Sequence, residues 1–341
     1  MKAAVYYDQS DVRYEEISRP KIKAGEILVE MRACGLCGSD LMEWYLKERT
    51  PLVLGHEPSG VIAEIGDRIK AFEVGDRVFA HHHVACLTCY YCVHGDYTLC
   101  AKFKSTHLEP GGFAEYFKVP APNVQVDTLK LPDNVSFLDA ALIEPIACCI
   151  RGIEKCNFRL GDTVAVIGAG PTGLIQLELA KILGANQVIV SDPVNFRLRA
   201  AKEFGADIVI NPLEEDVVEK VREATDRRGA DIVVLTAPSG NATSTAIDIC
   251  RKGGVLCLFA PASPEETVRM KPHQLFFSEI SVIPSYSTSH LETRKAVSLL
   301  QTGRIRAGEF ITHRYGLDQV EEALSLATKS KECLKIVIES R

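Results

Sequence analysis

No apolar run in the 341-residue chain approaches the roughly 20 residues that a membrane-crossing helix needs, which excludes a helical membrane protein. Basic blocks are missing as well. The chain carries 45 acidic against 39 basic residues, a net charge of −6, and that balance argues against nucleic acid as its partner. Residues 1–10 lack the basic stretch and apolar core of a secretion signal, so the expected location is the cytoplasm. Internal repeats and low-complexity segments are also lacking. In a reducing compartment twelve cysteines do not make a disulfide framework. Four have metal-site spacing, and the scattered remainder fit small buried apolar residues.

What the chain does contain is a change of texture near residue 142. Before it, short β-type runs at 2–7, 27–32, 60–65 and 77–80 are punctuated by Gly25, Gly55, Gly66 and Gly75. From residue 163 strands and helices alternate. Strands are expected at 163–167, 187–191, 208–210, 231–236 and 255–259, with 280–283 as a candidate sixth. Helices are expected between them at 172–183, 195–204, 217–224 and 243–250. Two amphipathic helices, 291–303 and 317–329, and a terminal strand, 334–338, complete the pattern. Length and pattern together predict two domains in an α/β protein. A β-rich catalytic domain covers 1–145 and is completed by 284–341; a doubly wound parallel-sheet nucleotide domain covers 146–283. Substrate is expected in the cleft between them.

Gly168, Ala169, Gly170, Pro171, Thr172 and Gly173 form G-x-G-x-x-G directly after an apolar strand and at the start of a helix. Gly168 permits the tight turn, Gly170 lets backbone approach a pyrophosphate, and Gly173 lets helix and strand pack closely. Free N–H groups of the first turn, around Pro171 and Thr172, suit phosphate. Asp192 ends the second strand, where a carboxylate accepts from the ribose hydroxyls of NAD and repels the extra phosphate of NADP. Its plainer role would be a turn residue or helix cap. Arg197, on the following helix, joins the candidate cofactor-binding set.

Cys86, Cys89, Cys92 and Cys100 form C-x-x-C-x-x-C-x7-C, which suits a closed, structural tetrahedral zinc. A zinc-finger role would need a basic helix after the quartet, and residues 101–112 carry too little positive charge. The preceding run His81, His82, His83 reads as a strand end near the active site rather than as a ligand set. Three further residues allow plain structural roles when taken singly. Cys37 in C-G-L-C-G-S-D fits a buried thiol, His56 in G-H-E-P-S-G a core histidine, and Glu144 a helix cap.

Taken in order, these segments resemble a known family. G-L-C-G-S-D, G-H-E-P-S-G, the cysteine quartet, Gly111-Gly112-Phe113-Ala114-Glu115-Tyr116 and the glycine turn are similar to the zinc-containing medium-chain dehydrogenases, especially the sorbitol, threonine and sugar-phosphate polyol branch. The resemblance covers nearly the whole chain. It implies a GroES-like catalytic domain, a Rossmann domain, and two Zn2+ ions per chain with NAD as cofactor. The catalytic zinc would be held by Cys37, His56 and a carboxylate, with Glu57 and Glu144 both candidates. Ser39 would accept the substrate proton and Asp40 would orient the metal sphere. Zinc would lower the pKa of a bound alcohol, whose carbon then gives hydride to the nicotinamide. Relatives often have a histidine where this chain has Met42, and an arginine where the run 284–289 has none. Trp44 and Tyr45 either line the pocket or simply pack.

The implied function is oxidoreduction of a secondary alcohol or polyol with NAD, with threonine or simple alcohol oxidation as alternatives. A homo-oligomer, dimer or tetramer, is implied too. The competing readings are a zinc-free reductase of the same fold and a zinc-stabilised NAD-binding protein without catalysis.

Overall fold

The computed structural model describes residues 1–237 and 239–340. The chain divides into two compact units, one of residues 1–147 and 288–341, the other of residues 148–287.

The first unit is built on two sheets. Lys2–Asp8 lies between Asp11–Glu16 and the two-residue strand Leu52–Val53, all antiparallel. The larger sheet runs in the order Ile311–Gly316, Lys335–Glu339, Ile27–Gly35, Glu57–Ile65, Arg77–Ala80, Thr128–Lys130, and Tyr116–Val119 also pairs with Ile27–Gly35. Ile27, Val29, Met31, Phe113, Phe117 and Ile338 are fully buried and fill its core.

Register in this sheet brings a carboxylate and a lysine together. Gly35 lies opposite both Glu57 and Val337. Position 35 has to be glycine, because a Cβ there would overlap Glu57 Oε2. The C-terminal strand therefore starts beside Glu57 and carries Lys335 to it. A return of the chain from residue 288 onward thus completes this sheet.

The second unit has six parallel strands in the order Ile208–Ile210, Gln187–Ser191, Thr163–Ile167, Ala230–Leu235, Cys250–Leu258, Ser281–Pro284. In chain order within the unit this is 3-2-1-4-5-6, the doubly wound nucleotide-binding order. Thr163–Ile167 is buried along its whole length, as a central parallel strand must be. The glycine turn follows it at the carboxyl end, where the strand order reverses, and such switch points are where open α/β sheets bind ligands.

Strands 163–167, 187–191 and 208–210 and helix Val217–Ala224 fall where the pattern places them. Helix Gly240–Ile249 begins three residues before the apolar spacing does, because Ser239 accepts from the Ala242 N–H and caps it. Helix Ile143–Lys155 has no counterpart among the expected elements. Among the described residues no helix is long and apolar enough to cross a membrane.

Candidate active site and metal centres

Cys37 follows the strand Ile27–Gly35 and precedes a one-turn 3-10 helix, Gly38–Leu41. Its backbone N–H donates to Asp40 Oδ2 at 3.0 Å, closing the turn. The other carboxylate oxygen, Oδ1, lies 3.5 Å from His56 Nδ1. Asp40 is buried, so it fixes the thiol-bearing loop and the imidazole together. Cys37, His56 and Glu57 then offer ligand atoms within 4.8 Å of one another. Cys34, three residues earlier, is fully buried among apolar side chains, and burial pushes its thiol up; it is core.

Glu57 is fully buried. Its Oε2 lies 2.5 Å from Lys335 Nζ, and Lys335 also donates to Leu36 O at 3.0 Å. Its Oε1 is buried without a hydrogen-bond partner. Burial pushes the Glu57 carboxyl up; Lys335 and His56 pull against that rise, and Glu144 adds to it. At His56 burial works to lower the pKa, yet Asp40 and Cys37 outweigh it and hold the imidazole well above its ordinary range. The pocket's field is negative. A thiol, an imidazole and an orphaned carboxylate oxygen in such a field fit a divalent cation of zinc's character.

Glu144 sits in the first turn of helix Ile143–Lys155, buried, and groups with His81 and His82, its donor atoms within 4.8 Å of theirs. Ser39 lies within the 3-10 turn. Trp44 and Tyr45 are 44% and 37% exposed, so neither is core.

The quartet comes together as four thiols within 4.8 Å. Cys89 and Cys92 sulfurs are 3.5 Å apart and Cys86 and Cys92 sulfurs 4.0 Å. A tetrahedral zinc with bonds of about 2.3 Å needs sulfurs about 3.8 Å apart. Backbone N–H groups of Cys86 and Lys102 point at Cys100 Sγ, both at 3.4 Å. The Cys86 thiol is lowered to about 5, chiefly by the Thr88 N–H and hydroxyl, while burial and neighbouring thiols push Cys92 up to about 12. One thiolate thus forms readily, and a metal would be needed to ionise the whole set.

In the second unit Gly168 has φ +101°, a left-handed conformation that glycine adopts without strain. A Cβ on Gly173 would strike the Gly168 carbonyl, so helix Pro171–Ile182 packs there on bare backbone. Gly170 caps that helix and a Cβ on it would meet open space, so the helix start is open to an approaching group such as a phosphate. Pro171 and Thr172 form the first turn, half-buried. Asp192 is buried and accepts 2.8 Å hydrogen bonds from Ala169 N–H in the glycine turn and from Val194 N–H. Its turn-stabilising role is therefore real, and two bonds leave a carboxylate with acceptor capacity to spare. Arg197 Nη1 stands 3.9 Å from Asp192 Oδ2.

With this geometry the chain has the two hallmarks of a metal-assisted, nucleotide-dependent oxidoreductase. The alcohol dehydrogenase GroES-like domain family matches residues 23–133, and the zinc-binding dehydrogenase family matches residues 171–302. A sorbitol dehydrogenase of Bacillus subtilis is 34% identical over 99% of this chain and 97% of its own. An L-threonine 3-dehydrogenase of Pyrococcus furiosus is 35% identical over 93% of this chain and 92% of its own. The solved structure of an alcohol dehydrogenase from Thermus sp. ATN1 superposes with a TM-score of 0.90, at 30% identity, covering both chains completely. The chain belongs to the zinc-containing medium-chain dehydrogenase family.

Sequence reasoning missed Lys335, although a lone lysine at the head of the otherwise apolar run in strand Lys335–Glu339 was a signal that a buried carboxylate faces it. Replacing it strands that carboxylate. Lys335→Met is expected to destabilise the metal-free protein by about 3–5 kcal/mol, and Glu57→Gln in the same chain to recover part of the loss. Denaturant unfolding followed by circular dichroism checks both; an unchanged midpoint for Lys335→Met contradicts the ion pair's role.

Proposed function

We propose that the protein oxidises a secondary alcohol, most favourably a polyol or sugar alcohol derivative, with NAD. The observation that carries this reading is the convergence of Cys37, His56 and Glu57 within 4.8 Å, with Glu57 Oε1 lacking a partner, in a chain of this family. In our reading these three hold the catalytic zinc. Glu144 stands close enough to raise the Glu57 pKa and serves as an exchangeable neighbour. Cys86, Cys89, Cys92 and Cys100 hold a structural zinc.

When bound, zinc supplies Lewis acidity that lowers the pKa of the substrate hydroxyl, and NAD supplies the hydride acceptor. The chain's own groups do the rest. Ser39 takes the hydroxyl proton. Asp40 holds the Nδ1 side of His56 and so leaves Nε2 as the donor nitrogen. Gly168, Gly170, Pro171, Thr172 and Gly173 present a helix start to the pyrophosphate, and Asp192, with Arg197 beside it, receives the ribose hydroxyls. The relatives are named as sorbitol, threonine and alcohol dehydrogenases, which supports the alcohol class and leaves polyols foremost. An L-threonine or simple alcohol substrate is the second choice. We further place the protein in the cytoplasm as a homo-oligomer, a dimer or, as we favour, a homotetramer.

The direct test follows NADH absorbance with sorbitol, other polyols, sugar alcohol phosphates, threonine and secondary alcohols. Turnover of at least one is expected, and none at all overturns the proposal. Cys37→Ser should abolish that turnover and remove one zinc while leaving NAD affinity nearly intact, whereas Cys92→Ser should remove a zinc chiefly at the expense of stability. Zinc counting beside NAD titration separates the two; full activity in Cys37→Ser would refute its role. Asp192→Ala should weaken NAD roughly tenfold or more and relax discrimination against NADP, and an unaltered NAD-to-NADP preference would show that Asp192 serves the turn alone.

A further inference from the structure

A pair of thiols in the second unit stands outside both metal sets. Cys156 directly follows the helix Ile143–Lys155, and Cys257 lies in the strand Cys250–Leu258. Far apart in the chain, both are buried and share one acceptor. Cys156 Sγ lies 3.2 Å from Gly152 O, and Cys257 Sγ lies 4.0 Å from the same oxygen. Gly152 permits this approach. A Cβ there would stand 3.0 Å from Phe259 Cδ2 and from Gln176 Nε2, so the last turns of the helix lie on the strand end through bare backbone.

The two thiols act on each other. Hydrogen bonding to Cys257, with burial, pushes the Cys156 thiol up, and the same contact holds Cys257 down against its own burial. Cys156 is therefore the donor and Cys257 the sulfur with thiolate character. Cys250, at the start of the same strand, has no such help, and burial pushes it up to about 12. A lone buried thiol is inert because nothing ionises it and nothing reaches it. Here neither condition holds. Cys156 lines a cavity of about 130 Å³ whose polar wall includes Asn157, Arg159, Asp231 and Arg251. A water molecule occupies about 30 Å³, so a small peroxide has room beside the pair.

We propose that Cys156 and Cys257 form a reversible redox pair, which a hydroperoxide closes to a disulfide that pins the end of the helix Ile143–Lys155 to the parallel sheet. One sulfur attacks a peroxide oxygen. The O–O bond breaks, the thiol's proton leaves with the departing oxygen as water, and a sulfenic acid remains. The partner sulfur then displaces hydroxide, which takes the second thiol's proton and leaves as another water. Two thiols are oxidised by two electrons in all, and one hydrogen peroxide is reduced to two waters. A dithiol reductant reverses the reaction by exchange. The pair is independent of the alcohol chemistry proposed above and of the zinc ions.

The test treats the zinc-loaded protein with hydrogen peroxide, alkylates the remaining thiols in denaturant and maps the peptides by mass spectrometry. Two of the twelve cysteines should resist alkylation, joined as a Cys156–Cys257 peptide pair, with zinc content unchanged and both thiols recovered by dithiothreitol. In Cys156→Ser and in Cys257→Ser the same dose should produce no disulfide. If a variant fails to fold, the peptide map of the unaltered protein decides alone. Full alkylation of Cys156 and Cys257 after a dose that already strips zinc from the quartet would overturn the proposal. So would a link from either thiol to Cys250 or Cys149, or a disulfide that persists in Cys257→Ser.

Discussion

A carboxylate buried where water cannot reach it is the constraint on which the first unit is organised. Glu57 has no exposed surface, and the cost of burying its charge is offset on one side by Lys335. Lys335 comes from the far end of the chain, so the charge can be neutralised only after the C-terminal strand has joined the sheet beside Ile27–Gly35. Glycine at position 35 clears the space for the carboxylate. One oxygen is thereby committed to the lysine, and the other is left for the cluster it shares with Cys37 and His56. A sheet register, a missing side chain and a distant lysine together produce a half-satisfied carboxylate, which is what a metal ligand looks like before its metal.

The same economy recurs at the other two centres. At the quartet, backbone N–H groups are aimed at sulfur, so the loop is shaped to favour thiolates before any ion arrives. At the nucleotide turn, Asp192 accepts from the glycine loop itself and holds it in the form that exposes the helix start. A single carboxylate thus both shapes the turn and marks the end of the second strand. The functional and the structural roles of Asp192 are compatible, because a carboxylate has more acceptor sites than the turn consumes.

Much of this architecture is legible in the sequence. The parallel strands are, because burial on both sides makes them short continuous apolar runs between glycine-closed helices. The grouping of the four cysteines, and of Cys37 with His56 and Glu57, is, because four cysteines at close spacing suit one tetrahedral ion and the G-L-C-G-S-D and G-H-E-P-S-G segments occur in a characteristic order. The strands Asp11–Glu16 and Ile311–Gly316 are not, since polar and charged residues dominate them and both lie at sheet edges. Lys335 escapes for a related reason: it acts on a residue remote in the chain, Glu57. The histidine run does end a strand, as its pattern suggests. The helix Ile143–Lys155 that brings Glu144 to it is amphipathic, with Glu144, Arg151 and Lys155 on one face, so its spacing carried a signal that sequence reasoning missed.

The proposed function requires that Cys37, His56 and Glu57 hold a zinc ion. Anomalous diffraction from a crystal of the purified protein, collected on either side of the zinc absorption edge, locates the ion directly. A peak within bonding distance of Cys37 Sγ, His56 Nε2 and Glu57 Oε1, with a second among the four cysteines, is the predicted result. A crystal whose only zinc peak lies at the cysteine quartet, with Cys37 and His56 turned away from each other, would contradict it.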